Sequence, residues 1–455
     1  MDYDLIVIGG GPAGYLGAQR AAEAGLKVKI FEKREIGGVC LNEGCIPSKN
    51  LLHAAHLVHD ARNGEACGIK VGSVEVDLET IVKRKNKVVK TLTGGVGFTL
   101  KKLKVDIKIG KAVINGRAAD GRYRVECDGE SDLASYLLIA SGSEAIVPPI
   151  DGVREGIDSG FVLSNREVLD LTQIPEQFVV VGGGVIGLEM AHAFALLGSQ
   201  VTVVEMLSQI GGPIDSKIAK DLEKQLTKQG ITIITDATVT KIADGEVVYD
   251  RDGKTETLKA EKVLLSVGRR ASCADIGLDT IGVLTERGAI VTDESMQTNM
   301  PNVYAAGDVT GKILLAHVAY RETEVAVNNI IGKGDRMYYD AVPSVIYTSP
   351  EVATVGITEE EAERLGYKPV RHTLPMVFSG RFMVENVDTA GDAYMIVDAN
   401  TDRILGFGML GNLASEIVST AVTFVEKNMT VNQAKKVIFP HPTVAEIIRE
   451  LIFTY

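Results

Sequence analysis

The 455-residue chain has only five cysteines, no apolar run near the ~18 residues a membrane-spanning helix needs, and a shortage of positive charge. Each shortage excludes something. Five scattered cysteines do not make a disulfide scaffold. A net charge of −12 argues against a nucleic-acid partner, which wants a basic face, and against electrostatic attachment to an anionic membrane. The N-terminus, MDYDLIVIGGG, starts with acids where a secretory leader starts with basic residues, so a cytoplasmic protein is expected. No metal is expected either. A zinc site takes about four ligands, usually with a second close pair; Cys67, Cys127 and Cys273 stand singly, and no paired histidines lie near them. What is left is ordinary for a globular chain, 45% hydrophobic and 24% charged, long enough for roughly two to four domains.

The most informative feature present is an internal repeat. LIVIGGGPAG at 5–14 recurs as VVVGGGVIGLE at 179–189. Each copy is a β-branched run, a glycine turn and a helical pattern, followed by a second strand ending in an acid. In both copies the acid, Glu32 or Glu205, lies 23 residues after the first glycine. This spacing predicts two dinucleotide-binding folds in succession. Gly9 and Gly182 make the tight turn, Gly11 and Gly184 admit a pyrophosphate to the backbone, and Gly14 and Gly187 let the helix pack on the strand. The phosphates meet the helix N-terminus, and the acid accepts from a ribose 2′-OH. A lone glycine loop is often a mere turn, but here strand, turn, helix, strand and acid agree twice. Glu205 has no arginine close by in sequence and would repel a 2′-phosphate, so NAD is favoured over NADP in the second copy.

The stretches 136–152, 262–270 and 299–309 each read as a strand running into small residues or glycine. After residue 340 the texture changes to alternating strands such as AYMIVDA, with helical stretches near 413–428 and 443–453, as in an α+β domain.

The segment GGVCLNEGCIPSK, 37–49, places Cys40 and Cys45 five positions apart. On an ideal helix that step climbs roughly 7.5 Å, beyond the ~7 Å that disulfide Cα atoms span. A bond therefore needs an irregular turn, which Gly44 permits. A bond closed under strain is easily reduced, which suits a redox pair; two inert thiols are the alternative.

These stretches, with VGRR, VYAAGDV, SPEVATVG and HPTVAE, carry a resemblance over the whole chain to the pyridine-nucleotide–disulfide oxidoreductases, and within them to the branch that oxidises dihydrolipoamide. The resemblance implies an α/β fold of two Rossmann-like domains, for FAD and NAD, plus a C-terminal α+β dimerisation domain. It divides the chain into 1–150 and 271–340 for FAD, 151–270 for NAD and 341–455 for the dimer interface. It implies oxidation of protein-bound dihydrolipoamide to lipoamide with reduction of NAD, in a homodimer serving a lipoyl-bearing protein of a 2-oxoacid dehydrogenase or glycine-cleavage complex. Glu32 would hold the adenosine ribose and Asp308 the ribityl chain. Ser141, Gly142, Gly268 and Ala316 would be further cofactor contacts, with His317 bordering the flavin. Cys45 would face the flavin and Cys40 the substrate. Lys49 would lie near the flavin edge, paired with Glu189.

His441 of the other subunit would serve the active site, with Glu446 orienting it. The chemistry agrees, since a thiol must lose its proton to attack a disulfide and imidazole suits that task. Thr443 and Glu446 also spell T-x-x-E, a capping box for the helix VAEIIRELI, so Glu446 has two claims on its oxygens. Val39, Asn50, Ser141 and the stretch 408–417 depart from the usual pattern, and none of them removes a proposed catalytic atom. The rival reading is an NAD(P)H-dependent reductase of another disulfide; a non-enzymatic flavoprotein subunit is less consistent with the cysteine pair and His441.

Overall fold

The computed structural model describes residues 2–243, 245–386 and 391–455. The chain forms two compact units. The first gathers the segment ending at Asn50 with Glu79–Ile146 and Gly268–Tyr338, and the second gathers Leu51–Leu78, Val147–Val267 and Tyr339–Tyr455. No helix among the described residues is long and apolar enough to cross a membrane.

The first unit is built on a seven-stranded sheet. The strand Asp2–Ile8 lies between Val28–Glu32 and Glu130–Ile139, parallel to both. Ile8 pairs with Phe31 on one side and Ile139 on the other. Asp106–Ile109 extends the parallel part beyond Val28–Glu32, and Val303–Ala305 adds to the far half of Glu130–Ile139. Leu5 to Ile8 and Val28 to Glu32 are continuously buried, as parallel strands covered on both faces must be. Three parallel strands therefore end together at Gly9, Lys33 and Ala140. The chain crosses over on either side of the first strand there, the kind of crevice where open α/β sheets take ligands.

The second unit repeats the plan. Its parallel sheet runs Thr232–Ile234, Gln200–Val204, Gln177–Val181, Lys262–Leu265, Val162–Leu163. The first repeated strand is again central, flanked by the strand that follows it and by one returning later. A three-stranded antiparallel sheet covers 237–259, and a five-stranded antiparallel sheet is made from residues 344–410. Against the latter pack the helices Ala414–Glu426 and Glu446–Phe453. The expected alternation in AYMIVDA is not what is found. Asp392–Asp398 is buried at six of its seven positions and Ile404–Leu410 at all seven. Ser216–Lys228 packs on Ile404–Leu410 as well, so this sheet is not left half-solvated. Asp215 holds that helix. Its carboxylate accepts from the N–H groups of Lys217 and Ile218 at 3.1 Å each and from the Arg371 guanidinium at 2.6 and 3.1 Å.

Candidate active site

The two glycine loops are built alike. Gly9 and Gly182 have φ of +108° and +105°, and a Cβ on either would collide with the carbonyl oxygen of Ala140 or Ser266. A Cβ on Gly14 or Gly187 would collide with the carbonyl of Gly9 or Gly182. These third glycines thus make room first for the turn itself, with the strand valines Val7 and Val180 just behind, rather than for helix against strand alone. Gly11 and Gly184 face open space: a Cβ meets only Gly38 at 3.7 Å in the first loop and nothing within 4 Å in the second. The helices Pro12–Glu23 and Val185–Leu197 start just beyond, with no side-chain cap and no acid in the first turn. Their first N–H groups are the donors a pyrophosphate takes.

Both acids brace their own loop. Glu32 Oε2 accepts from Gly10 N–H at 2.6 Å and Oε1 from Arg34 N–H at 2.8 Å. Glu205 accepts from Gly183 N–H at 2.6 Å and from Leu207 N–H at 2.7 Å. Each carboxylate is thereby fixed at the carboxyl end of the second strand, with a further lone pair on each oxygen for a ribose hydroxyl. The uncapped helix start, the open second glycine and the braced acid fit an adenine dinucleotide in either loop.

Cys40 and Cys45 are disulfide-bonded, with Cα atoms 4.7 Å apart. The short helix Gly38–Glu43 carries Cys40 and stops at Gly44, and Cys45 opens the 19-residue helix Cys45–Asn63. The break is the irregular turn the spacing required. The sequence reading missed what it does for Cys45. At the first position of a long helix, a thiolate there meets the positive end of the helix dipole, which lowers a thiol pKa. Cys45 is exposed and Cys40 half-buried. Between them Glu43 takes a bidentate ion pair from Arg34, at 2.7 and 3.3 Å. Asn50 is buried and accepts from Arg84, which accounts for a polar residue there. Lys49 lies half-buried one turn into the same helix.

Asp308 opens a tight turn after Gly307 and accepts from Ser143 Oγ. Arg269 grips Ser143 twice, Nε to Oγ and a terminal nitrogen to the carbonyl, both at 2.8 Å. Burial pulls the Arg269 pKa down, against the opposing pull of Asp308, Glu43 and Glu144. This trio lay unread in the sequence. Of the other expected contacts, Ser141 Oγ donates to Ser272 O at 2.7 Å, and Gly142 adopts φ +75°. Gly268 N-terminally flanks the strand Arg269–Ala271, its carbonyl accepting from Ile146 N–H at 3.0 Å. Ala316 starts the helix Ala316–Ile330, on which His317 is exposed.

In the second unit Glu189 is buried and accepts from Tyr347 N–H at 3.2 Å. His441 Nδ1 lies 2.8 Å from Glu446 Oε1, while Glu446 Oε2 accepts from Thr443 N–H at 2.9 Å. The hydrogen bond with His441 and then that from Thr443 hold the Glu446 carboxyl below the usual carboxylate range. The capping box is only half formed. Thr443 Oγ1 turns back to Pro440 O at 2.9 Å, and the helix begins at Glu446, two residues after the Val444 that opens VAEIIRELI. The imidazole itself is largely in solvent, its side chain 80% exposed.

A second histidine site was not anticipated. His192, on Val185–Leu197, is fully buried, and its Nε2 lies 3.2 Å from that of His56. His192 Nε2 also accepts from Ser349 N–H at 3.1 Å, so it is His56 that carries the Nε2 proton. Burial, then the neighbouring His56, pushes the His192 pKa down to about 3.

Two parallel nucleotide folds, a disulfide at a helix head and a separate antiparallel sheet define a flavin- and nicotinamide-type disulfide oxidoreductase. The chain belongs to the pyridine nucleotide-disulphide oxidoreductases: that family's model matches residues 3–323, and the family's dimerisation domain matches 342–452. It is 40% identical over 467 residues to a dihydrolipoamide dehydrogenase of Chaetomium thermophilum, covering 99% of this chain and 90% of the relative. It is 40% identical to a dihydrolipoyl dehydrogenase of Thermus scotoductus, covering 98% and 96%. Among solved structures it resembles the HOCl-induced flavoprotein disulfide reductase RclA of Escherichia coli, at 28% identity and a TM-score of 0.86 over 98% of this chain and 99% of that one. LpdA of Mycobacterium tuberculosis shares the fold at a TM-score of 0.89 and 24% identity, over 99% of each chain.

Proposed function

We propose that the protein is an NAD-dependent dihydrolipoyl dehydrogenase. The observation that carries this is the Cys40–Cys45 bridge at the head of Cys45–Asn63, in a chain alignable end to end with dihydrolipoyl dehydrogenases. FAD binds on the first glycine loop, in residues 1–150 and 271–340; NAD binds on the second, in 151–270; residues 341–455 form the interface of a homodimer. Three cysteines remain unpaired, as in a reducing cytoplasm, the setting proposed for the protein.

His441 of the partner subunit, held through Nδ1 by Glu446, takes the proton from one thiol of dihydrolipoamide at Nε2. The resulting thiolate attacks Cys40 Sγ. The enzyme's S–S bond breaks, and its electron pair passes to Cys45 Sγ. The second substrate thiol then displaces Cys40, closing the lipoamide disulfide and leaving Cys40 as a thiol. The helix dipole holds Cys45 as a thiolate through this exchange. FAD, when bound, supplies a two-electron acceptor between sulfur chemistry and the hydride chemistry of NAD. Asp308, steadied by Ser143 and Arg269, takes the ribityl hydroxyls, and Glu32 the adenosine ribose. The carrier of the substrate is a lipoyl-bearing protein of a 2-oxoacid dehydrogenase or glycine-cleavage system.

A reductase of another disulfide that draws on NADPH is the alternative. Against it, Glu205, at the end of the second strand, would repel a 2′-phosphate. The test is Cys45→Ser together with coenzyme choice. FAD should stay bound in the variant while turnover of dihydrolipoamide with NAD is lost. Retained turnover, or a wild-type preference for NADPH and glutathione, refutes the proposal.

A further inference from the structure

The acidic chain carries one strongly basic element. The helix Leu78–Lys102 has seven lysines and arginines against a single acid, Glu79, a surplus of six positive charges in a chain of net −12. Lys87, Lys90, Gly94, Phe98 and Lys101 follow one another at steps of three and four, so they line one face, and all five are exposed. Phe98 is 70% exposed, an aromatic ring set among cations with glycine beside it. Lys87, Lys90 and Lys101 make no ion pair among the described residues. Lys101, in the last turn, complements the helix dipole, but Lys87 and Lys90 stand mid-helix and have no such role.

The inner side of this helix supports the redox segment at both ends. Thr93 lies so close to Gly37, three residues before Cys40, that a Cβ there would stand 3.0 Å from its methyl group. At the other end Arg84 donates to Asn50, and Asn50 Nδ2 donates to Ile81 O at 3.3 Å. The helix therefore lies directly behind the segment that carries the disulfide.

We infer that the outer face of Leu78–Lys102 is the docking surface for the protein that carries the dithiol, and that the carrier's facing surface is acidic. This rests on the dihydrolipoyl dehydrogenase reading. Steering by opposite charge raises the encounter rate and fades with salt, while the aromatic ring supplies a short-range contact. Three exposed lysines on this face, Lys87, Lys90 and Lys101, in a chain of net −12, concentrate that attraction on the helix that backs the disulfide segment.

The experiment compares wild type with K87E/K90E, as FAD-loaded full-length enzymes, on two substrates: free dihydrolipoamide, and a dihydrolipoylated lipoyl domain of net negative charge. With the domain, wild-type kcat/KM should fall about 10-fold between about 20 mM and about 500 mM salt. The variant should lose about 10-fold at low salt and become insensitive to salt. Turnover of free dihydrolipoamide should stay within about 2-fold of wild type, since neither lysine touches the redox segment. Equal use of the carrier domain by both proteins overturns the inference. So does binding of anionic lipid vesicles or DNA by wild type, abolished in the variant, with carrier kinetics unchanged. If K87E/K90E does not fold, K87Q/K90Q is read in its place, with about half the effect. Absence of turnover on free dihydrolipoamide by wild type would instead sink the activity itself, so the two failures are told apart.

Discussion

Gly44 is the residue that lets Cys40 and Cys45 meet, and Gly44→Ala puts a number on that. An added Cβ would stand 3.0 Å from Val39 O, 3.3 Å from Val39 Cγ1 and 3.4 Å from Cys40 Cα. The first two contacts are tighter than carbon accepts at rest, so the turn has to open by a few tenths of an ångström. With the bridge closed, the Cα atoms of the cysteines are tethered 4.7 Å apart and the turn has little freedom to open. With the bridge reduced the tether is gone and the two helices can part. The penalty therefore falls mainly on the oxidised form. Overpacking of this kind costs about 1–3 kcal/mol. For a two-electron couple 1.4 kcal/mol is about 30 mV. The midpoint of the cysteine pair should rise by roughly 20–60 mV. Equilibration with dithiol–disulfide buffers near neutral pH, followed by alkylation and mass measurement, reads it directly. Gly95→Ala is the control: Gly95 lies on Leu78–Lys102 with nothing within 4 Å of an added Cβ, so it should leave the potential alone and stabilise the helix by about 1 kcal/mol. A Gly44→Ala midpoint equal to or below wild type would show that the turn has slack and that Gly44 is not what sets its closure.

Glu446→Gln should lower dihydrolipoamide turnover about 10- to 100-fold while electron transfer from NADH to an artificial acceptor persists, because in the proposed mechanism only the thiol half-reaction uses an oriented imidazole; equal losses in both assays would argue for misfolding instead. Ser143→Ala removes the hydroxyl between Arg269 and Asp308, worth about 1.5–3 kcal/mol for bonds to charged groups, and should weaken FAD about 10- to 100-fold in a fluorescence titration of the apoprotein, with Ser143→Thr restoring it; an unchanged affinity would show that Asp308 needs no such support. His192 has a folded pKa of about 3 against an ordinary value of 6.5. The unfolded chain therefore takes a proton that the folded one refuses as pH falls below 6.5, so stability is full above that value and declines continuously toward 3, by about 2 kcal/mol at pH 5. His192→Gln keeps an acceptor for Ser349 N–H and should flatten the decline seen in denaturant titrations between pH 7 and about 5; an unaltered slope would place the acid sensitivity elsewhere.

What could be read in the sequence was what is encoded locally. Glycine turn, helix, second strand and acid fall within 23 positions of the first glycine each time, and both spans fold as their spacing required. The Cys40–Gly44–Cys45 turn was legible for the same reason, since helix rise and one glycine decide it. Contacts between distant segments were not legible. Ser143, Arg269 and Asp308 meet across 165 positions through two short strands and a turn. His56 and His192 are 136 positions apart on two helices whose own patterns look ordinary. The alternation expected in Asp392–Asp398 failed because alternation presumes a solvated face, and the helices that cover this sheet come from three separate parts of the chain. Glu446 was correctly seen to have two claimants, but only the structure shows each oxygen given to one of them.

The two repeats also explain how a redox site arises on a nucleotide fold. After the braced acid, each chain turns back to its own glycine loop through an Ile-Gly pair. Gly37 N–H donates to Gly10 O at 2.8 Å, and Gly211 N–H donates to Gly183 O at 2.8 Å. Ile36 and Ile210 pack beside the same loop glycines. Both glycines have positive φ, +111° and +84°, so each return ends in a turn that β-branched residues avoid. Up to this point the repeats are equivalent. Beyond it the second runs on through Gly212 and Pro213, whereas the first starts the helix Gly38–Glu43 with Cys40 in its first turn. The sulfur pair is therefore placed by the same backbone hydrogen bond that, in the second repeat, merely closes a loop. In the first repeat the Glu32–Arg34–Glu43 chain of contacts continues from the acid that braces the glycine loop to the residue between the cysteines. On this reasoning the nucleotide loop and the disulfide are one structural element, and replacing Glu32 by alanine should loosen both: the Gly10 and Arg34 amides lose their acceptor, and the Arg34–Glu43 clamp loses its anchor.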